Sequence, residues 1–237
     1  MNKRIIVFAP HPDDETFGCG GTIAKRISEG YEVIIVVITD GRHAYSKVLG
    51  INSDPTPEEL KEIRKEELIR ATNVLGVPKK NLLFLDFEDG TLEKYEKEAK
   101  EKIIEIIKKY SPVEVYFPYI KDYNPDHQAT NRIIRCIQKL GLTSMEYQYS
   151  ITQKYARIGP LADRLINLFN KNMIEVDIAE FINLKEKAVK EFKSEISIIS
   201  TKQKKPITEN IDKFLRNKEI FYVDKCARTQ KIQDYPR

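Results

Sequence analysis

His11, Asp13 and Asp14 fall within four consecutive positions of the stretch Ala9-Pro10-His11-Pro12-Asp13-Asp14-Glu15. An imidazole and a carboxylate three residues apart, His11 and Asp14, can together hold a divalent cation, and Asp13 is then left free to handle protons. A catalytic zinc takes three protein ligands from His, Asp and Glu and keeps a further position for water. The chain contains three histidines, His11, His43 and His127. Of these, His127 closes Asn124-Pro125-Asp126-His127, a polar stretch that follows an apolar run just as His11 does. It is the natural third ligand if the two stretches meet in space. Zinc lowers the pKa of bound water to about 7, and Asp13 beside the ligands is placed to take a proton from it. Asp126 is a candidate to orient His127 from behind. The bland alternative is a turn in which Asp13 or Asp14 caps the next helix, a position Asp favours.

The elements that must bring these stretches together alternate in type. Apolar runs at 4–9, 33–38, 82–85 and 113–117 read as strands, the second almost continuously β-branched, as for a strand covered on both faces. Between them, residues 16–28, 58–75 and 91–109 carry apolar positions at helical spacing, and a further helix follows His127 to about residue 140. The pattern predicts an α/β fold: a Rossmann-like, doubly wound, mostly parallel sheet with helices on both faces. Right-handed crossovers put the polar ends of the strands on one edge, where the loops carrying His11, Asp40, Asp89 and His127 converge. Residues 146–153 and 219–223 are further candidate strands, 181–197 a candidate helix, and 201–206 a basic turn. We read residues 1–237 as a single domain whose last third, about 141–237, completes the sheet and shapes the pocket.

Composition narrows the function classes. The formal net charge of +4 arises from 40 basic and 36 acidic residues, interleaved along the chain, which argues against nucleic acid as a partner. No apolar stretch approaches the roughly 20 residues needed to span a bilayer. The short run behind Met1-Asn2-Lys3-Arg4 does not read as a signal peptide, so a cytoplasmic location is expected. Cys19, Cys136 and Cys226 form no C-x-x-C pair and are expected to be reduced structural thiols. Gly18-Cys19-Gly20-Gly21 lacks the G-x-G-x-x-G spacing of a dinucleotide site. A phosphoesterase with two metals calls for more carboxylates.

His11-Pro12-Asp13-Asp14-Glu15 with Gly20-Gly21-Thr22 resembles the first motif of the LmbE/PIG-L family of zinc-dependent N-deacetylases. Further matches follow in order: Thr39-Asp40-Gly41, Arg64-x-x-Glu67, Asp89-Gly90, Asn124-Pro125-Asp126-His127, and Lys185-x-x-Ala188 with Lys193-Ser194. The resemblance spans about residues 3–195 and, weakly, 219–222. It implies removal of acetyl groups from N-acetylglucosamine-type sugars and conjugates, with one Zn2+ held by His11, Asp14 and His127 and Asp13 as general base. It also implies substrate contacts by Arg64, Asp89 and Glu88. Many members carry His where this chain has Asn124, which donates a hydrogen bond but cannot deliver a proton; Asn124 is read as a variant oxyanion donor. Other divalent metals suit the same ligands. A related amide substrate, and a glycan-binding member without turnover, stay open as alternatives, and a homo-oligomer is compatible with the sequence.

Overall fold

The computed structural model of the chain describes residues 3–142, 145–151 and 173–223. Its elements run β1 (Arg4–Ala9), α1 (Asp14–Ser28), β2 (Glu32–Thr39), α2 (Ala44–Leu49), α3 (Pro57–Val74), β3 (Leu82–Phe87), α4 (Glu96–Tyr110), β4 (Glu114–Pro118), α5 (Pro125–Gln138) and β5 (Met145–Tyr149). After these come β6 (Met173–Asp177), α6 (Ile182–Val189), α7 (Lys193–Ile196) and β7 (Lys218–Tyr222). The described strands form one sheet in the order β3-β2-β1-β4-β5-β7-β6. β1 pairs in parallel with β2 and β4, as does β2 with β3 and β4 with β5, whereas β7 lies antiparallel between β5 and β6.

The period-2 pattern explains why both faces are covered. Ile5, Val7, Ile35 and Val37 point to one side, where Phe17 and Ile23 of α1, Leu68 and Ala71 of α3 and Ala188 of α6 meet them. Ile6, Phe8, Ile34 and Val36 point to the other and pack on Ile103 and Ile107 of α4 and Ile133 and Ile134 of α5. The strand order reverses at β1, whose neighbours are β2 on one side and β4 on the other. That is the switch point at which open α/β sheets bind ligands beyond the carboxyl ends of the strands. His11 follows β1, and Asn124-Pro125-Asp126-His127 follows β4.

Several expectations shift. The helix expected after His127 starts two residues earlier, at Pro125, with Asn124 as its N-cap, so His127 stands in the first turn of α5 rather than in a loop. Residues 91–109 open with a 3-10 turn at Leu92–Tyr95 before α4. The helix expected over 181–197 splits into α6 and α7, while α2 and β6 carry too short a pattern to be predicted. Of the strand expected over 146–153, residues 152–153 lie outside the described residues, as does Cys226. Cys19 is buried and Cys136 exposed, both as free thiols. Among the described residues no helix is long and apolar enough to cross a membrane.

α1 is not continuous. Cys19 has φ −148° and ψ 24°, which breaks the helical ladder between the first turn and the rest. The groups exposed by the break are taken up by an ion pair from the far end of the chain. Lys185 Nζ donates to the Phe17 carbonyl at 3.0 Å and to Glu219 Oε1 at 2.6 Å. The Glu219 carboxylate accepts from the Gly21 and Thr22 amides at 2.9 and 2.7 Å. Both side chains are buried, so each charge depends on the other. Lys185→Met, which strands the Glu219 carboxylate, is expected to lower stability by about 3 kcal/mol or more. Urea unfolding checks this, and an unchanged midpoint would show that the pair does not hold the break together.

Candidate active site and metal centre

At the end of β1 the backbone turns through Pro10 and Pro12, and the side chain of Asp14 folds back on His11. The Asp14 Oδ2 atom accepts from the His11 amide at 2.9 Å and lies 3.1 Å from His11 Nδ1. From the other side of the switch point, His127 Nε2 comes within 3.1 Å of the same Asp14 oxygen and 3.3 Å of His11 Nδ1. His11, Asp14 and His127 are all buried. Their three facing atoms form a nearly equilateral triangle. Bonds of about 2.0–2.1 Å to a tetrahedral zinc imply ligand separations of about 3.3–3.4 Å, so the donor set fits the ion in both chemistry and spacing.

The outer edge of each imidazole is held by its own carboxylate. His127 Nδ1 is 3.0 Å from Asp122 Oδ2, and Asp122 is fixed in turn by the Ser150 hydroxyl and the Ile151 amide. His11 Nε2 is 3.1 Å from Asp126 Oδ2 and 3.5 Å from Asp89 Oδ1. The expectation that Asp126 orients His127 is therefore corrected: Asp126 serves His11, and Asp122 serves His127. Asp126 also accepts from the Gly90 and Leu92 amides, and Asp89 from Lys47 Nζ and the His43 amide. With its oxygens so engaged, the grouping of His11, Asp89 and Asp126 acts as a hydrogen-bonded bracket behind the imidazole. Carboxylates that fix the tautomer and orientation of a ligating histidine in this way raise its basicity.

The charges are balanced to match. Burial opposes the Asp14 anion, but the charges and hydrogen bonds of His127 and His11 outweigh it and hold the carboxyl well below the usual range. Burial likewise opposes an imidazolium at His11, yet hydrogen bonds to Asp126, Asp14 and Asp89 raise its pKa well above the ordinary value. At His127 burial is again opposed, by Asp14 and Asp122, and the net shift is upward.

Asp13 is set apart from the triangle. It occupies the N-cap position of α1 but makes no capping side-chain bond, so the bland reading of His11-Pro12-Asp13-Asp14 fails here. Its φ of 138° is costly for a residue with a Cβ, and its amide donates to Glu15 Oε2 at 3.2 Å. The strained backbone delivers the carboxylate to Arg64 Nη2, 2.8 Å away. Arg64 also pairs with Glu195 at 3.0 Å and donates to the carbonyls of Gly41 and Pro12. Burial raises the Asp13 pKa well above the carboxylate range, with Arg64 opposing, and does the same more mildly to Glu195. At 14 % exposure, the Asp13 side chain is the more open partner of the pair; Arg64 is at 4 %.

The other sequence-predicted residues fall in different places. Arg64 faces inward, without pairing with Glu67, whose carboxylate instead accepts from the Ser194 amide and hydroxyl. Asn124 caps α5, its Oδ1 accepting from the Asp126 amide at 2.9 Å. Asp89 is buried behind His11, whereas Glu88 is exposed and lies 2.9 Å from His43 Nε2. Asp122, Glu195 and Lys47 join the site without having been singled out for these contacts. The signal for Asp122 was its position two residues before Asn124, in the stretch that leads into α5.

A model of the family described as PIG-L, GlcNAc-PI de-N-acetylase, matches residues 6–137, a span that holds both halves of the triangle, Asp13 and Arg64. The chain is 28 % identical over 201 residues to the diacetylchitobiose deacetylase of Thermococcus kodakarensis, covering 81 % of this chain and 70 % of that one. It is 32 % identical over 143 residues to a probable N-acetyl-α-D-glucosaminyl L-malate deacetylase 2 of Bacillus cereus, covering 59 % of this chain and 63 % of the relative. The fold is similar to that of the N,N'-diacetylchitobiose deacetylase of Pyrococcus horikoshii, with a TM-score of 0.69, 24 % identity, and coverage of 98 % of this chain and 87 % of the other.

If Asp122 fixes His127 as a ligand, Asp122→Asn should weaken zinc binding about 10- to 100-fold. Competition with a chromogenic chelator measures this. Unaltered affinity would remove Asp122 from the metal centre.

Proposed function

The chain belongs to the PIG-L family, and from that premise we propose that it is a metal-dependent hydrolase removing the acetyl group from an N-acetylated amino sugar or its conjugate. One observation carries the reading: a buried His11–Asp14–His127 triangle with a separate, strained acid, Asp13, beside it. A structural turn has no use for such an acid, and neither does a site that only binds a glycan.

In this reading His11, Asp14 and His127 hold one Zn2+ per chain. When bound, the ion supplies Lewis-acid polarisation of the acetamide carbonyl and activates water near neutral pH. Asp13 takes the proton of the attacking water. As the carbon–nitrogen bond breaks, Asp13 returns that proton to the departing amine, leaving acetate and a free amino sugar. A carboxyl whose pKa burial has raised suits both halves of this transfer. Arg64 is assigned to positioning Asp13 rather than to a sugar contact, because both of its terminal nitrogens are engaged with protein oxygens. Asn124 keeps its side-chain amide N–H groups as candidate donors to the carbonyl oxygen, its Oδ1 being committed to the cap. Glu88 stands at the exposed rim, and Asp89 supports His11 from within.

The test is amine and acetate release from N-acetylglucosamine glycosides by zinc-loaded protein. Asp13→Ala should lose about 100- to 10,000-fold in kcat, the range supplied by general acid–base catalysis, while retaining zinc. Full activity in that variant would remove the assigned base. Stoichiometric zinc with no release from any N-acetylated amino sugar by the wild type would turn the reading toward binding alone.

A further inference from the structure

Beyond the triangle, a cavity of about 270 Å³ lies between α1, the end of β5 and the segment entering β7. It is walled by residues that also support the metal centre. Phe17 and Gly18 follow Asp14 by one helical turn. Ser150 and Ile151 line the cavity and hold Asp122, the partner of His127. The cavity is smaller than the roughly 300–1,000 Å³ of sites for whole drug-sized ligands, so it suits a substituent of a substrate rather than the entire molecule.

Its charged lining is mostly cationic, with Glu219 the one carboxylate among the described lining residues. Four cationic side chains line it: Lys185, Lys213, Arg216 and Lys218. Two are neutralised within the protein, Lys185 by Glu219 and Lys218 by Glu175. Lys213 and Arg216 have no carboxylate partner among the described residues. Lys213 Nζ lies 4.5 Å from the centroid of the Phe214 ring. Its pKa is lowered by desolvation, with no neighbouring acid acting against the shift. Among the described residues no carboxylate pairs with these two cations, and a ligand anion would supply that charge.

We infer that this cavity is an anion subsite in which Lys213 and Arg216 bind a carboxylate or phosphate carried by the group attached to the amino sugar. The inference rests on the deacetylase reading and narrows it to conjugates with an anionic aglycone. Arg216 offers a planar fork that matches either anion and Lys213 a point charge. Both side chains are exposed, so the preference they confer weakens as salt rises.

The test compares the carboxymethyl and methyl glycosides of N-acetylglucosamine as substrates for the zinc-loaded wild type and a Lys213→Gln/Arg216→Gln variant. The wild type should show a lower KM for the carboxymethyl glycoside. The variant should raise that KM about tenfold, equivalent to about 1.4 kcal/mol, with kcat and the methyl glycoside unaffected. A parallel rise for both glycosides, or no change for either, overturns the subsite. Calorimetric binding of the same two glycosides separates the two readings if neither is hydrolysed. Tighter binding of the carboxymethyl glycoside that the variant abolishes would keep the subsite while the deacetylase reading falls, and equal binding by wild type and variant overturns the subsite itself.

Discussion

The buried guanidinium of Arg64 is the contact on which the rest of the site depends. From one residue of α3 it reaches Asp13 and the Pro12 carbonyl after β1, the Gly41 carbonyl after β2, and Glu195 in α7. Three segments distant in sequence are thereby fixed to a single planar group, whose fork of donors can satisfy several acceptors at once. A lysine would offer a point charge without that geometry. The arrangement also constrains its neighbours. A Cβ on Gly41, which has φ +68°, would come within 2.8 Å of Arg64 Nη1, so the loop after β2 needs a residue with neither side chain nor penalty at positive φ. One cation faces the half-buried Asp13 and the buried Glu195, and desolvation raises the pKa of both. Their charge states are consequently linked rather than independent.

The acid beside the His11–Asp14–His127 triangle also sits in a strained backbone. A non-glycine residue outside the populated regions costs of order 1–3 kcal/mol, and the surroundings must over-determine it. Asp13 is held from its amide by Glu15 and from its carboxylate by Arg64, while its carbonyl accepts the Thr16 and Phe17 amides that begin α1. Asp14, the next residue, can then turn in the opposite direction, toward both imidazoles. Two adjacent carboxylates thus acquire opposite electrostatic fates: Asp14 is stabilised as an anion by two histidines, and Asp13 is pushed toward its protonated form. Such divergence between neighbouring acids is what the proposed division of labour, Asp14 as ligand and Asp13 as base, requires.

Much of this was legible in the sequence, and the rest was not, for identifiable reasons. β1 and β2 declared themselves because both faces are buried, which leaves a continuous apolar run with nothing to confuse it. The convergence of His11 and His127 followed from strand alternation and crossover handedness alone. The partner of each histidine did not. Asp126 is adjacent to His127 in sequence, but both lie in the first turn of α5, where consecutive side chains diverge by about 100°. Asp126 therefore points across to His11, and the carboxylate that reaches His127 comes from Asp122, in the loop before the helix. The same helix start gives Asn124 a further role that the sequence reading did not include, as the N-cap of α5 through its Oδ1. α6, α7 and β6 were blurred because their placement is set by tertiary contacts, such as the Glu67 carboxylate on Ser194, and hardly by periodicity.

The broken helix α1 shows how the distant end of the chain enters the site without supplying a ligand. A straight α1 would keep its ladder between Phe17 and Gly21; the turn at Cys19 gives it up, and Lys185 and Glu219 take the freed carbonyl and amides instead. Close approach makes the break possible: a Cβ on Gly18 would meet the Tyr149 ring at 2.4 Å, and one on Gly21 would meet Ile178 at 2.3 Å. The first turn of α1, with Asp14 and Glu15, is thus pressed against the end of β5, while its remainder packs on α6. Tyr149 completes the contact by donating its hydroxyl to the Phe8 carbonyl at the end of β1. The antiparallel strand β7, which carries Glu219, is therefore more than an extension of the sheet's edge. Through Glu219, which accepts from the Gly21 and Thr22 amides, it joins the late part of the chain to the helix that begins with Asp14.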